Sequence, residues 1–582
     1  MFISSRTSAI STLMFLGILF LLSGCDQSHT PKSPSGVPGA PVENSQREES
    51  DPPVKVTSRI RFESRTQQSG VDFGYRNGKE GDNFTILESL GGGIGLLDFD
   101  GDGRLDLFIP GGGQVTRAQV VQGLPGALYR QTSSWEFEEC TQLAGVGQNG
   151  LYSHGAAVAD FDSDGFPDLL VTGYGGLQLY HNQGDGTFRE TAFEAGLTDD
   201  EWSSSASWGD IDNDGDLDLY VTHYVDWSFE NNPHCPGPGK IEREICSPRV
   251  FQGLTDILYR SNGNGSFSDI SGEMKIAPGG KGLGVLIADV DLNGFLDIYV
   301  CNDTQGNFLY RTRGTDPLED VSIGSGTALS ERGIANGSMG VALGDFDLNG
   351  LPDIWVANYE NESFALYRNK GDCFFQHNSQ VAGVTRVGPV YVGWGTLFSD
   401  FDHDGDEDIF GSNGHVIRFP SSNHVDQRPL LFDNQAGNSL VNVASQVGDY
   451  FRNAHHGRGA AGGDIDNDGD IDLVISRVNQ NVALLCNESV QSGNWLQVNL
   501  TGIESSRTPI GATIRVQTEG GLQIRQLTGG GSYGSTHDPR LHFGLGEAET
   551  VQKLEVAWPS GRIQQLTEIP VNQFVHLIEP ES

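Results

Sequence analysis

The chain is short of positive charge. Its 36 lysines and arginines stand against 77 aspartates and glutamates, for a formal net charge of −41. Such a surface repels phosphate backbones, which excludes nucleic acid as a partner. Cysteine is also scarce: seven in 582 residues, with no Cys-x-x-Cys pair, so a cysteine-only metal site is excluded. Helical periodicity is sparse. No His-Glu-x-x-His or phosphate-binding loop is present, and the repeat motifs of quinone-type dehydrogenases are missing. What the chain has instead is glycine, 79 residues, and short β-prone runs between turns. That composition predicts an all-β chain.

One pattern, Asp-x-Asp-x-Asp/Asn-Gly-x-x-Asp, recurs seven times, with starts 50 to 79 residues apart. Its acidic and amide positions are Asp98, Asp100, Asp102 and Asp106; Asp160, Asp162, Asp164 and Asp168; Asp210, Asp212, Asp214 and Asp218; Asp289, Asp291, Asn293 and Asp297; Asp345, Asp347, Asn349 and Asp353; Asp400, Asp402, Asp404 and Asp408; and Asp464, Asp466, Asp468 and Asp472. Carboxylates this dense repel one another unless a hard cation neutralises them. Calcium takes six to eight oxygens at roughly 2.3–2.6 Å, and the glycine at position 6 permits the turn that wraps the ion. An EF-hand would need Glu at position 12. That position holds Ile109, Val171, Val221, Val300, Val356, Gly411 and Ile475, and each loop runs into a short β-prone segment. The pattern predicts strand–loop–strand sites for about seven Ca²⁺. A metal-free Asx turn is the alternative, and seven copies in register count against it. Asn293 and Asn349 leave their loops one charge short.

A second element follows each loop: Leu128-Tyr-Arg, Leu179-Tyr-His-Asn, Leu258-Tyr-Arg, Leu309-Tyr-Arg, Leu366-Tyr-Arg-Asn, Leu431-Phe-Asp-Asn and Leu484-Leu-Cys-Asn. Several copies continue into Gly-x-Gly-x-Phe, a turn feeding another strand. Each unit thus holds about four strands, one propeller blade. An apolar residue with glycine eight positions on marks the fourth strand, as in Phe137/Gly145 and Phe188/Gly196. The seventh unit lacks this segment, but Phe62/Gly70 supplies one ahead of the first loop. Residues 59–66 are therefore expected to pair with the strand around Val482–Asn487 and close the ring.

The N-terminus reads as an export signal: Arg6, then an apolar stretch around Leu13–Leu22 that is too short for a comfortable membrane span. Residues 26–57 are rich in Pro, Ser and charge and read as a flexible tether. Cys235 and Cys246 flank a Pro/Gly-rich insertion and are the disulfide candidate.

These motifs resemble known families. Leu22-Ser-Gly-Cys25 resembles a bacterial lipobox, which implies cleavage before Cys25 and its lipidation. The Asp loops with their Leu-Tyr-Arg-Asn strands resemble FG-GAP/VCBS repeats, the calcium-binding blades of integrin α-subunit propellers. From Asn494 on, Asn494-Trp-Leu-Gln-Val-Asn-Leu, Gly529-Gly-Gly-Ser-Tyr-Gly-Ser and Val556-Ala-Trp-Pro-Ser-Gly-Arg562 resemble the ASPIC/UnbV domain. The pairing is similar to the cartilage acidic protein family and its bacterial secreted relatives. The resemblance implies an all-β, seven-bladed β-propeller with calcium-binding blades at residues 58–492 and a small β-rich ASPIC/UnbV domain at 493–580, after a signal peptide at 1–24 and the tether at 25–57. It implies an exported, lipid-anchored protein, periplasmic or at the cell surface, that meets the membrane only through its anchor and recognises a protein or polysaccharide on one propeller face. The alternative is a carbohydrate-active enzyme, lyase or hydrolase. It would need an acid, a base and a cation on one face, for which His154, His223, His415, His455, His456 and Arg458 are the candidates.

Overall fold

A computed structural model describes residues 57–581, apart from 149, 422–423 and 491–492. The signal segment, Cys25 and nearly all of the tether lie outside the described residues. The rest of the chain is all-β.

Seven antiparallel sheets carry the seven Asp loops, six of them four-stranded and the fourth extended to five strands by Gly529–Gly530 of the tail. In the second sheet, Tyr152–Ala159 is innermost, followed by Asp168–Tyr174, Gly176–Asn182 and Phe188–Glu190. The Asp loop joins the first strand to the second in every sheet. The innermost strands neighbour one another in chain order, and Gly457–Gly463 of the last sheet returns to Gly95–Leu97 of the first. This is the propeller architecture. Core clusters form between the faces of adjacent sheets: Leu286 and Tyr299 pack with Val341, Ile354 and Tyr367 of the next. Because both faces of a second strand are covered, strands such as Asp106–Ile109 and Asp353–Asn358 are buried throughout. That is why each loop runs into an unbroken apolar segment rather than an alternating one.

The last sheet takes its outer strand from the other end of the chain. Phe62–Ser64 pairs antiparallel with Ala483–Asn487, Phe62 opposite Asn487 and Ser64 opposite Leu485. The Phe62 N–H also donates to Val447 O of the sixth sheet at 2.6 Å, and Phe137 N–H of the first sheet donates to Ser69 O at 2.8 Å. The eight-residue offset now has a cause. The glycine turns in left-handed backbone against the next sheet's outer strand, so that a Cβ on Gly70 would meet Phe137 O at 2.6 Å. In the divergent third copy Lys275 holds the same place with φ +60°, a conformation that costs a non-glycine residue about 1–2 kcal/mol. Deleting residues 58–72 is expected to expose the Ala483–Asn487 edge and empty the Phe62 site, which on its own is worth about 3–5 kcal/mol. Urea unfolding should show a lower midpoint for the whole propeller, and an unchanged midpoint would contradict ring closure by this strand.

The tail forms two further sheets. One orders Leu541–Gly546, Asn494–Thr501 and Gln573–Ile578; the other Gly521–Gln526, Thr513–Thr518, Thr550–Ala557 and Ile563–Pro570. They share a core that includes Leu496, Ile514, Phe543 and Val556. The tail sits on the Asp-loop face. Gln497 Nε2 donates to Asp464 Oδ2 at 2.8 Å, Gln526 Nε2 to Asp289 O at 2.8 Å, and Gly546 N to His403 O at 2.9 Å.

Candidate functional site

Positions 1, 5 and 9 of the loop do distinct work, repeated in all seven copies. The position-1 carboxylate closes the turn: Asp160 Oδ1 accepts from Asp164 N at 3.0 Å and Oδ2 from Gly165 N at 2.8 Å. Position 5 accepts the N–H of position 7, as Asp164 does from Phe166 at 2.9 Å and Asn293 from Phe295 at 2.7 Å. Position 9 is a clamp. Asp168 Oδ2 accepts from Phe161 N at 3.1 Å and Oδ1 from Asn182 N of the third strand at 2.7 Å.

Position 3 is different. In five of the seven loops at least one of its buried oxygens has no hydrogen-bond partner: Asp100, Asp212, Asp291, Asp347 and Asp466. A buried unpaired carboxylate oxygen is costly, and these all point to the same place in the loop. Ligand atoms of positions 1, 3 and 9 lie within 4.8 Å of one another in Asp98/Asp100/Asp106, Asp160/Asp162/Asp168 and Asp210/Asp212/Asp218. Three carboxylates converging round orphaned oxygens fit a hard divalent cation. Without one, burial pushes these acids far up: Asp106 to about 8, Asp168 to about 9, Asp218 and Asp353 to about 8.

The third-strand motif supplies the surroundings. Its Arg or His faces position 3: Arg260 Nε lies 3.2 Å from Asp212, His181 Nε2 2.9 Å from Asp162, and Arg311 and Arg368 pair with Asp291 and Asp347. Its Asn staples sheet to sheet. Asn182, Asn369, Asn434 and Asn487 each donate through Nδ2 to the position-2 carbonyl of the preceding loop, at 2.8–3.0 Å. The sequence displays this asparagine in four of seven copies, but its role was not read from it. Loop six departs from the pattern on its third strand, where Asp433 stands in place of the Arg or His and adds a carboxylate, and Asp402 is pushed up to about 7.

The central channel is filled. The tail segment 528–538 enters it and touches the inner strands in turn. Gly529–Gly530 pairs with Leu286 and Ile287, Ser532 N donates to Val341 O at 2.6 Å, Ser532 Oγ donates to Ala460 O at 2.7 Å, Ala156 N donates to Gly534 O at 2.9 Å, and Ile94 N donates to Ser535 Oγ at 3.0 Å. Gly530-Gly531-Ser532-Tyr533-Gly534 matches the Gly-x-Ser-x-Gly string of serine hydrolases. Here Ser532 is fully buried and its hydroxyl also accepts from Thr396 N at 3.1 Å, so it is a plug residue and not a nucleophile.

The candidate acid–base residues do not form one open constellation. His154 is buried between Tyr75 Oη and Trp202 Nε1, at 3.0 and 2.9 Å, and burial lowers its pKa to about 3. His223 faces Asp199 at 2.9 Å. His456 and Arg458 meet backbone oxygens, Arg458 bonding to Ser89, Gly414, Gly457 and His415 carbonyls while stacked 4.2 Å above Trp394. His415 sits 3.3 Å from Glu360, and His455 stacks on Tyr450.

At the opposite ends of the strands from the Asp loops lies a cavity of about 580 Å³. Insertion 223–256 forms much of its wall, joined by Val416 and Ile417 from another sheet, and Cys235–Cys246 is a disulfide within that insertion. Tyr224, Tyr359, Trp394 and Met339 give it apolar surface, and Asp303, Glu362 and Arg249 give it charge. Tyr224 Oη donates to Asp303 at 2.6 Å, and burial pushes Glu362 up to about 7. Trp394 packs edge-on against Tyr533 of the plug, centroids 4.7 Å apart.

A propeller whose sheets each carry an Asp loop, capped by a tail that plugs its channel, defines a class of repeat protein. Residues 98–171, 160–221, 289–356 and 345–411 match the FG-GAP-like repeat, and residues 502–582 match ASPIC and UnbV. The chain belongs to the FG-GAP-repeat proteins that end in an ASPIC/UnbV domain. It is 24% identical over 498 residues to cartilage acidic protein 1 of Mus musculus, covering 74% of each chain, and 24% identical over 499 residues to that of Homo sapiens, covering 74% of this chain and 72% of the other. Among solved structures it resembles an Agrocybe aegerita lectin that recognises non-reducing terminal N-acetylglucosamine (TM-score 0.38, 16% identity, 66% of this chain and 85% of that one). It also resembles BBS1N in complex with ARL6DN (TM-score 0.36, 9% identity, 74% and 97%).

Proposed function

We propose that this is an exported binding protein, stabilised by calcium in its Asp loops, that holds a segment of a protein or polysaccharide in the cavity opposite those loops. The observation that carries the reading is that cavity: about 580 Å³, within the range of specific ligand sites, with aromatic walls and a few fixed charges. The plug gives it a second support, because a sealed channel leaves a blind site and not a pore. Calcium follows from the orphaned position-3 oxygens and the all-oxygen donor set. Export agrees with the disulfide and with the relationship to cartilage acidic protein 1. Lipidation of Cys25 would tether the protein to a membrane.

A carbohydrate-active enzyme is the second reading. It is favoured by Glu362, a carboxyl held near 7 by burial in the same cavity as Asp303, which suits a general acid.

One experiment tests both. Arrays of glycans and secreted proteins are probed with the protein, with and without EDTA, and every captured glycan is assayed for cleavage. Binding that Tyr359→Ala and Arg249→Glu both weaken by about tenfold or more, with no turnover, is the expected result. Turnover abolished by Glu362→Gln would establish the enzyme. Binding indifferent to both cavity variants would remove the cavity from the account.

A further inference from the structure

We propose that loop four is a mixed thiolate–carboxylate site that takes a borderline-soft divalent cation, zinc above all, in preference to calcium. The inference rests on the reading of the Asp loops as cation sites and narrows it for one of them.

The thiol of Cys373 and carboxylate oxygens of Asp291 and Asp297 lie within 4.8 Å of one another. Cys373 is a free cysteine, 4% exposed, and comes from the turn between the third and fourth strands of the next sheet. Asp372 and Cys373 both adopt left-handed backbone, with φ +52° and +54°, and the turn directs the thiol at its neighbour's loop. The corresponding turn of the first sheet does the same with a different side chain. Trp135, φ +60°, donates through Nε1 to the position-3 Asp466 of loop seven at 2.7 Å. There a hydrogen-bond donor reaches one oxygen of the carboxylate, Oδ2, and leaves Oδ1 without a partner, whereas in loop four a metal-ligating sulfur stands in the donor's place.

Asp291 shows that something is missing. Its side chain is 1% exposed and Oδ1 has no hydrogen-bond partner, although the other end of the carboxylate faces Arg311. Loop four also carries Asn293 where five loops have Asp. It has one hard anionic donor fewer than those loops and one soft donor more. Zinc is bound by Cys sulfur and Asp oxygen in four-coordinate sites, while calcium asks for six to eight oxygens. The other free cysteines are engaged elsewhere: Cys140 Sγ with Leu128 O at 3.5 Å, Cys301 with Gly340 O at 3.9 Å, and Cys486 beside Arg65 and Glu488. On binding, the Cys373 S–H proton passes to solvent and the thiolate forms the bond to the metal. No electron is transferred.

The test uses cobalt(II) as a spectroscopic stand-in for zinc on the metal-stripped full protein, with excess calcium present. The proposal expects one equivalent of cobalt to give a thiolate-to-metal charge-transfer band that zinc abolishes, calcium does not, and Cys373→Ser lacks. In the wild-type protein, one equivalent of zinc should slow alkylation of Cys373 by about tenfold or more, with calcium leaving it unchanged. This second arm needs no variant. A missing band, a band that persists in Cys373→Ser, or alkylation indifferent to zinc overturns the proposal. Bound calcium is measured in the same samples. Calcium on the other loops without a thiolate band sinks the zinc site alone, whereas no calcium anywhere sinks the underlying reading.

Discussion

Stripping the protein with EDTA should lower its thermal midpoint further than any single substitution does. A ligand at a hundredfold excess over its Kd stabilises the folded state by about 2.7 kcal/mol, and several loops acting together match the whole net stability of a typical domain, about 5–15 kcal/mol. The loops explain why the loss would be large. Their position-3 oxygens are buried and unpaired, and their position-9 acids are buried with both oxygens committed to the backbone. The pH dependence of the stripped protein then has a definite sign. Asp106, Asp168 and Asp218 have folded pKa values of about 8, 9 and 8, above the unfolded value of about 3.9. The folded state therefore binds more protons, and the stability these groups contribute is present below about pH 4 and is lost as pH rises through about 8–9. Calcium needs the ionised form, so the loaded protein should show the opposite trend and lose its metal, and with it stability, on acidification. Thermal scans of loaded and stripped protein from pH 4 to 9 check both slopes. Parallel curves would contradict the account.

Breaking the plug should be the next largest effect. Gly529→Val places a Cβ where Trp208 O lies 1.7 Å away, a clash that a backbone carbonyl cannot relieve. Tyr533→Ala empties a fully buried site against Trp394 and Arg458, a change that costs about 3–5 kcal/mol for a large aromatic. Both variants leave the tail's own core of Leu496, Ile514, Phe543 and Val556 intact. The expected outcome is a tail that folds but leaves the channel, with faster proteolysis in the 488–493 connection and a lower propeller midpoint. Variants with wild-type proteolysis and midpoint would show that the plug fills the channel without holding it together.

The loops, the four-strand unit and the closing strand were legible because each rests on local chemistry repeated in register. Asp-x-Asp-x-Asp/Asn-Gly can be read from one copy and checked against six more, and the Phe62/Gly70 offset is the same offset seen at Phe137/Gly145. Division of labour within a loop was not legible. Positions 1, 3 and 9 are all aspartate, and only the fold shows that position 9 clamps the third strand while position 3 stays unpaired. The plug could not be placed from sequence, since Thr528-Gly-Gly-Gly-Ser-Tyr-Gly-Ser535 says only that backbone must approach backbone closely. Its glycine density was the available signal. The cavity was out of reach for another reason: its walls come from insertions in different sheets, which share no pattern and meet only in the folded chain.

The central claim is that the Asp loops hold cations. Elemental analysis of the folded protein, purified in calcium and gel-filtered, tests it most directly. The account predicts about one divalent ion per loop, about seven in all, calcium with at most one zinc; fewer than about four ions bound to a fully folded protein would contradict it.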